Sequence, residues 1–525
     1  MRSTFSGLEI STRALFANQA ALNVTGHNIG NANTPGYSRQ RIDLVASQPL
    51  EALGLSKSTA AGMIGQGVDV NQISRVREKF LDDQYYNENK SLGEWNTRND
   101  TLTKVEAIIN EPSDTGIQKV VDGFWNSWQV LSRDPENLTA RASLKENALA
   151  MTDAFNSVGS KLDSLSSDLT KNIDIKAGEI NTYTSQISDL NVQIARAEGL
   201  GDKANDLRDQ RDLLVDKVSS LANITVTEDD KGYNIAIGTT SLVSSTSGAS
   251  PVTQATLVAA VGSGDLKSGE IYGMIYSRDN YLTNYKTQLN SMINTIVQGK
   301  VTVTLPKGSV IPDGTVLNGV TYSGTIAART LANDTQVQVN GINGLHQLGY
   351  TTDNPPVSGI PFFTLKPGET EFTANSITVN PDIVSKVSNI VASARVYVDS
   401  SGKTQTVQGN NDIALGIANL RNTKFTFDPT SSGAPSLTNG TINDFFQAVV
   451  GQLGAQAQES GRQVDNQNVL VQQVDSRRQS VSGVSLDEEM SNMIKYQQAY
   501  NAAAKSLTIF DTILDKLING TGVTR

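Results

Sequence analysis

The chain has 525 residues, which at about 150 residues per domain predicts three or four domains. Its net charge is −10, and its 43 basic residues form no block that would predict a nucleic-acid surface. The sequence contains no run of about 18 or more apolar residues and no basic, then apolar N-terminal segment. We therefore expect no nucleic-acid partner, no membrane insertion and no cleavable signal peptide.

The chain offers few residues for catalysis or metal binding. It has no cysteine and only two histidines, His27 and His346, which excludes thiol chemistry and disulfides. The sequence also lacks the Gly-x-x-x-x-Gly-Lys-Ser/Thr, His-Glu-x-x-His and Gly-x-Ser-x-Gly motifs. These features favour a protein that is not an enzyme and that uses no metal or cofactor.

The N-terminal segment predicts a helix over residues 6–30. Ser6 and Glu9 have the spacing of a capping box. Apolar residues then recur every seven positions, a spacing that points one helix face at a partner helix: Leu8, Leu15, Leu22 and Ile29. Between Met1 and Thr34 the charged residues are Arg2, Glu9 and Arg13. So few charges favour burial of the outer faces by neighbouring subunits, although an ordinary core helix is the alternative.

The C-terminal segment has the same character. Ser485 and Glu488 form a second capping-box pattern, and Gly520 is the predicted stop. One seven-residue track consists of Leu486, Met493, Tyr500, Leu507 and Leu514, and a second contains Met490 and Ile518 but is interrupted by Gln497 and Asp511. We expect the two terminal stripes to pair as a coiled coil, with Leu507 and Leu514 facing Leu15 and Leu22.

The patterns between the ends are helical, then β-like, then helical again, which predicts a multidomain α+β fold. We expect a terminal coiled-coil domain from residues 1–60 and 480–525. The predicted helical bundle domain combines residues 61–225, 266–299 and 411–479. A β-hairpin region at 226–265 and β-rich outer domains at 300–410 complete the chain. Because the stretch 300–405 contributes nothing to the terminal tracks, we expect its removal to leave the helical core folded.

A turn motif follows the first predicted helix. Pro35 and Gly36 are placed to form a turn from Thr34 to Tyr37. Asparagine side chains at positions 28, 31 and 33 can bond the backbone groups that the helix end leaves free. We treat the following as one candidate assembly motif: Asn28, Asn31, Asn33, Thr34, Pro35, Gly36 and Tyr37.

This motif resembles the N-terminal signature of the bacterial flagellar rod, hook and hook-associated axial proteins. The flanking Gly26-His27-Asn28 and Ser38-Arg39-Gln40-Arg41 are similar to the flagellar hook-associated protein 1 family in particular. Further segments with this similarity are 65–81, 205–215, 379–384, 411–421 and 483–505. At about 300–340 the sequence departs from the family pattern.

The resemblance implies a structural protein of the flagellum, which forms the junction layer between hook and filament and allows filament assembly. The implied partners are further copies of the chain, hook protein on one side and the second junction protein on the other. A flagellar export chaperone would bind the C-terminal segment, and the type III export apparatus would deliver the chain to the cell exterior. The alternatives are another axial protein, of the hook or rod, or an axial protein with an enzymatic insertion at 300–405.

Overall fold

The computed structural model describes residues 5–48, 65–111, 113, 116–427 and 437–520. The chain divides into two compact units. Unit 1 comprises Met1–Glu94, Asp174–Tyr272 and Val464–Arg525, and unit 2 comprises Trp95–Ile173 and Gly273–Gln463. The terminal helices and the β-hairpin region both lie in unit 1. The finer domain boundaries predicted from the sequence remain a prediction. Parts of the predicted domain 1–60 and of its 480–525 partner lie outside the described residues.

Helices dominate the described residues, and none of them is both long enough and apolar enough to cross a bilayer. The helices are α1 (Ser6–Gly30), α2 (Lys79–Ile109), α3 (Ile117–Arg133), α4 (Leu138–Gly199), α5 (Asn205–Leu221), α6 (Gln254–Ser263), α7 (Glu270–Tyr276), α8 (Thr283–Gln298), α9 (Ile326–Arg329), α10 (Gly341–Gln347), α11 (Pro381–Ser385), α12 (Asp412–Asn419), α13 (Ile442–Ser482) and α14 (Leu486–Asn519). A π-helical turn, Ser277–Leu282, joins α7 to α8.

The strands form small antiparallel sheets. They are β1 (Gln40–Ala46), β2 (Val68–Arg75), β3 (Thr225–Asp229), β4 (Gly232–Ile237), β5 (Thr240–Ser244), β6 (Gly248–Ala249), β7 (Lys300–Leu305), β8 (Thr315–Leu317), β9 (Val320–Tyr322), β10 (Thr335–Asn340), β11 (Phe363–Leu365), β12 (Ile377–Val379), β13 (Val396–Val398), β14 (Thr404–Thr406), β15 (Phe425–Thr426) and β16 (Asn439–Gly440). Strands β3 to β6 form a four-stranded meander, and the other strands pair in twos.

The terminal helices have the predicted bounds but not both predicted caps. Phe5 precedes α1 without a side-chain cap, so the capping box predicted at Ser6 is wrong. The Glu9 carboxylate instead accepts from Arg13 Nε at 3.0 Å, one turn further along the helix. Before α14, Ser485 Oγ accepts from the Glu488 amide at 3.4 Å, which is half of the predicted box.

The four-stranded meander packs on α4 within unit 1. Asn191 of α4 is 3 % exposed, and its side chain bonds both the carbonyl and the amide of Tyr233, each at 3.0 Å. Gly232 has φ +137°, and a Cβ there would lie 2.6 Å from the Asn191 side chain. The predicted β-hairpin region at 226–265 is therefore held on a long helix by buried amide contacts, and Asn181 of α4 bonds the amide and the carbonyl of Val252 in the same way, each at 2.8 Å.

An aromatic cluster forms the core of unit 2. Trp128 of α3 lies 5.2 Å from Phe362 between ring centroids, and Phe124 lies 5.8 Å from Phe363. All four rings are completely buried. The stretch 300–405 thus supplies part of this core, which argues against the expectation that it can be removed without harm to the helical segments. Sequence patterns missed this because rings far apart in sequence form the cluster.

Residues 300–340, in contrast, leave and re-enter the chain path at one base and make only a few further bonds to unit 2. The Val310 amide donates to the Ala394 carbonyl at 2.8 Å, and Arg329 NH1 donates to the Tyr350 hydroxyl at 2.9 Å. Strands β7 and β10 pair along their length, with Lys300 opposite Asn340. The Gly341 amide donates to the Gly299 carbonyl at 2.8 Å, which closes the excursion at its base. Val310, which is 2 % exposed, anchors it in a small cluster with Tyr350. The segment that departs from the family pattern is therefore a surface insertion.

We predict that a short Gly/Ser linker can replace residues 300–340. The loss of the buried Val310 side chain, about 2 kcal/mol, should lower the Tm of unit 2 by roughly 5 °C. Removal of 300–405 should unfold unit 2, because Phe362 and Phe363 leave its core. Circular dichroism melting of both deletions provides the measurement, and equal Tm values would contradict the prediction.

His346 is a hydrogen-bonded core residue of α10 in unit 2. Its Nδ1 lies 2.6 Å from the Ile360 carbonyl, and its Nε2 accepts from the Val391 amide at 2.9 Å. The carbonyl requires a proton on Nδ1 and the amide requires none on Nε2, so the neutral ring satisfies both partners. Complete burial lowers the pKa of His346 to about 4, and the nearby Arg141 charge acts in the same direction.

We predict a loss of unit 2 stability at low pH that arises from this ring. The folded-state pKa lies below the ordinary value of about 6.5, so the ring contributes fully above pH 6.5 and loses its contribution as the pH falls toward 4. The lost free energy of unfolding approaches about 3 kcal/mol. Urea titrations at pH 7, 5.5 and 4, followed by tryptophan fluorescence, would measure it. The matched variant His346→Gln should lack this part of the pH dependence, and parallel pH profiles would contradict the assignment.

Candidate functional site

Four of the family-like segments meet within unit 1, at the C-terminal end of α1. The segments are the turn after α1, strand β2, the first part of α5 and the start of α14. The Ser38 amide donates to Asp209 of α5 at 2.9 Å, and the Arg39 amide donates to the Ser482 carbonyl at 2.8 Å. The candidate assembly motif is therefore fastened both to α5 and to the residues before α14.

Asn28 is the centre of this arrangement. Its side chain is 1 % exposed, and Nδ2 donates to the Gln40 carbonyl at 2.9 Å and to Glu489 Oε2 at 3.2 Å. Its Oδ1 accepts from the Tyr37 hydroxyl at 2.8 Å and from the Gln40 amide at 3.0 Å. One buried amide thus joins the end of α1, the turn, the first strand and α14, and all its hydrogen-bonding capacity is used.

Tyr37 closes the turn over Asn28. His27 Nδ1 lies 3.0 Å from the Tyr37 hydroxyl oxygen. Burial raises the pKa of Tyr37, and the charges of Asp206, Asp209 and Glu489 act in the same direction. The hydroxyl therefore remains protonated and serves as the donor to Asn28.

The turn has the predicted geometry. The Tyr37 amide donates to the Thr34 carbonyl at 3.2 Å, and Gly36 has φ +79°. A Cβ at Gly36 would lie 3.0 Å from Leu213 Cβ, so glycine also permits close packing on α5. Asn31 bonds the His27 carbonyl at 3.1 Å. Asn33 and Pro35 are exposed on the turn.

Arg39 holds the N-terminus of α14. Its Nε donates to Glu489 Oε1 and its NH1 donates to Glu488 Oε2, both at 2.8 Å. Glu489 is only 2 % exposed, yet Arg39 and Asn28 together bond both of its oxygens. A carboxylate at this helix end is also favoured by the helix dipole.

Buried ion pairs attach β2 and α13 to α5. Arg75 NH1 lies 2.8 Å from Asp209 and 2.7 Å from Asp212, and Arg478 NH1 lies 2.9 Å from Asp216. Burial acts to raise the pKa of Asp212, but Arg77 and Arg75 outweigh it, so this pKa lies below its ordinary value.

Burial has the opposite outcome at Asp216, whose pKa it raises to about 6 despite the Arg478 charge. Sequence reasoning did not single out these ion pairs. The available signal was the placement of Asp209, Asp212 and Asp216 on one face of α5, three and four residues apart.

Small side chains, rather than the leucine track, form the seam of α1 against α14. The buried residues of α1 are Ser11, Ala17, Ala21, Val24, Thr25 and Asn28. The predicted track residues Leu8, Leu15, Leu22 and Ile29 are half-buried at the flanks of this seam. Small seam residues let the helix axes approach closely, which turns the larger side chains outward.

On α14 the two predicted tracks behave differently. Met493, Tyr500, Leu507 and Leu514 are half-buried. Three other members of the proposed interface are exposed: Leu486 at 48 %, Met490 at 58 % and Ile518 at 67 %. Glu489 and Ala503 are instead the buried residues of this helix.

Three facing pairs define the antiparallel register. A Cβ on Gly7 would lie 2.3 Å from the Phe510 ring, and Ser11 Oγ lies 3.1 Å from Ser506 Oγ. Asn28 and Glu489 form the third pair. The two residue numbers add to the same value in all three pairs, so Leu507 lies opposite Ile10. Leu507 and Leu514 were expected to face Leu15 and Leu22, but in this register neither Leu15 nor Leu22 lies opposite Leu507.

Three family models match consecutive parts of the chain. They are described as flagella basal body rod protein at residues 8–37, flagellar hook-associated protein FlgK helical domain at 102–300, and flagellar basal body rod FlgEFG protein C-terminal at 476–520. The helical-domain match ends where the insertion begins. The two rod-protein matches cover most of α1 and α14.

Several curated relatives match the chain along nearly its full length. The flagellar hook-associated protein 1 of Bacillus subtilis is 33 % identical over 100 % of this chain and 99 % of its own length. The proteins of the same name from Salmonella typhimurium and Escherichia coli are 26 % and 25 % identical, over 96 % of this chain and 98 % of theirs.

A solved structure described as the flagellar hook junction protein FlgK from Burkholderia pseudomallei has 14 % sequence identity and a TM-score of 0.49. It covers 76 % of this chain and 100 % of that one. This likeness is too weak to support a conclusion. The sequence matches, in contrast, extend from the first helix to the last and identify an axial structural protein of the flagellar hook–filament junction. The chain belongs to the flagellar hook-associated protein 1 family.

Proposed function

We propose that the outer faces of α1 and α14 are the surface through which copies of this chain assemble into the junction layer between hook and filament. The observation that carries this proposal is the exposure of large apolar side chains away from the seam of α14. Met490 is 58 % exposed, and Ile494 and Ile509 are each 59 % exposed. Apolar side chains left in water on one helix favour a further packing partner.

Helix α1 supports the same proposal. Phe16 is 64 % exposed, while Leu8, Leu15 and Leu22 are half-buried beside the seam. The helix carries few charges with which to solvate these flanks. Neighbouring copies would bury these residues of α1 together with the exposed residues of α14.

The assembly motif would fix how the chain leaves the helix pair. Asn28 and Tyr37 bond each other, and the turn between them directs Gln40 into the first strand. In a layer of identical subunits, each copy must leave its helix pair in the same direction. A buried, fully bonded asparagine supplies that constraint.

The proposed partners follow from family membership and from this surface. Hook protein would lie on one side of the layer and the second junction protein on the other. Before assembly, the apolar segment from Leu486 to Ile518 would require cover, which a flagellar export chaperone would provide. Delivery would proceed through the type III export apparatus to the cell exterior.

We predict that Ile494→Asp with Ile509→Asp abolishes assembly but leaves the isolated chain stable. Both positions are exposed, so its Tm should change by no more than about 2 °C. In the layer, each aspartate would be buried without a partner, at a cost of several kcal/mol. Cells with this variant should make hooks, fail to swim and release unpolymerised filament protein into the medium.

The matched control is Ile175→Asp with Val192→Asp on α4, where the native residues are 64 % and 48 % exposed. This control should support swimming. Purified variant added to cells that make hooks but lack this chain would bypass export and chaperone binding. Filament growth with the α14 variant in that assay would contradict the proposed assembly surface.

A further inference from the structure

The small residues along the seam between α1 and α14 would pack equally well in more than one register. Apart from Asn28 and Glu489, the buried residues of the two helices are small or β-branched: Ser11, Ala17, Ala21, Val24, Thr25 and Ala503. A slip by one heptad would place Ala21 opposite Ala503 in one direction and Ser11 opposite Ala499 in the other. Such a helix pair needs other contacts to select one register.

Gly7 and Phe510 provide one such contact, which is steric. A Cβ at Gly7 would lie 2.3 Å from the Phe510 ring, so the ring occupies the space that any other residue would need. A slip by one heptad would bring Ala14 opposite Phe510. The alanine Cβ would then collide with the ring unless the two helices moved apart.

Asn28 and Glu489 provide a second contact, which is polar. Both side chains are at most 2 % exposed, and Nδ2 to Oε2 is 3.2 Å. A slip in one direction would place Glu489 beyond the end of α1, and a slip in the other would place it opposite Ala21. Either slip would separate this carboxylate from its buried amide partner, which is strongly unfavourable.

The two contacts act at opposite ends of the seam. Gly7 and Asn28 are three heptads apart on α1, and Glu489 and Phe510 are three heptads apart on α14. A rigid helix pair that satisfies both contacts has a single register along its length. The pair of Ser11 and Ser506, one helical turn from Gly7 and Phe510, lies in the same register.

We propose that Asn28 and Glu489, together with Gly7 and Phe510, set the antiparallel register of α1 on α14. Asn28 and Glu489 are positioning residues, because they select one alignment among several that the small residues allow. The proposal concerns the single chain and does not depend on the assembly surface proposed above.

The test uses engineered disulfides, since the chain has no native cysteine. Ala14→Cys with Ala503→Cys reports the register of the structure. Ala21→Cys with Ala503→Cys and Ser11→Cys with Ala499→Cys report a slip of one heptad in either direction. Each pair is oxidised in the full-length chain at low concentration, and the intramolecular disulfide is quantified by mass spectrometry.

In the parent chain, only the first pair should form its disulfide efficiently. Asn28→Leu with Glu489→Leu removes both partners, so that no buried charge is left alone and Arg39 retains Glu488 at 2.8 Å. In that background the disulfide of Ser11→Cys with Ala499→Cys should increase about tenfold or more, since the unpaired polar group no longer disfavours that slip. The opposite slip remains blocked, because it brings Ala14 against the Phe510 ring. Far-UV circular dichroism establishes that both helices remain formed.

Two controls separate register from general stability. Ser11→Ala with Ser506→Ala removes a seam hydrogen bond but neither register contact, and Glu489→Gln retains the side-chain size and an acceptor for Asn28. Both should retain the native-register disulfide. Where position 11 carries the reporter cysteine, only Ser506→Ala is made. Only the native disulfide in the double-leucine variant, or no disulfide in any register, would overturn the proposal.

Discussion

The structure of unit 1 depends on one constraint, which is that the first and last helices of a 525-residue chain must pack closely against each other. Small residues such as Ala17 and Ala21 permit this approach, and their burial leaves the larger apolar side chains at the flanks. The use of small residues between the helices therefore produces both the intramolecular seam and an apolar outer surface. If the leucines had filled the seam, α1 would have far less apolar surface to offer a neighbour.

The turn after α1 depends on this pairing and on buried charges. Asn28 bonds Glu489 only when the two helices are in register, and Tyr37 then closes over Asn28. Behind the turn, Arg75 bridges Asp209 and Asp212. Buried ion pairs of this kind contribute little net stability, because desolvation offsets their attraction, but loss of one partner is strongly destabilising because it leaves a buried charge unpaired.

The sequence predicted the elements more fully than the contacts. Helix α1 and the end of α14 at Gly520 lie where periodicity and glycine placed them, although the capping box predicted for α1 does not form. The seam was misjudged because hydrophobic periodicity emphasises large side chains, whereas close helix packing is decided by the smallest ones. Gly7 and Glu489 are not large apolar residues, so hydrophobic periodicity does not single them out. They nevertheless make the most specific contacts between α1 and α14.

Contacts between residues far apart in the sequence could not be predicted for a related reason. A helical face with Asp209, Asp212 and Asp216 indicates that basic partners exist, but it does not say that Arg75 and Arg478 supply them. In the same way, the apolar character of Trp128 is typical of a core residue, but it does not identify Phe362 as its contact. Pairings across more than 100 residues are set by topology, which one sequence does not contain.

The aromatic core of unit 2 also explains where surface variation can occur. Residues after Gly341 supply rings and the buried His346 to that core, so their sequence is constrained by packing. Residues 300–340 leave the core along strand β7 and return along its partner β10. An insertion or deletion within this segment therefore does not move the base of the ribbon, where Gly341 bonds Gly299. The boundary between core and decoration therefore lies at the base of that ribbon. It does not coincide with the change from helical to β-like sequence.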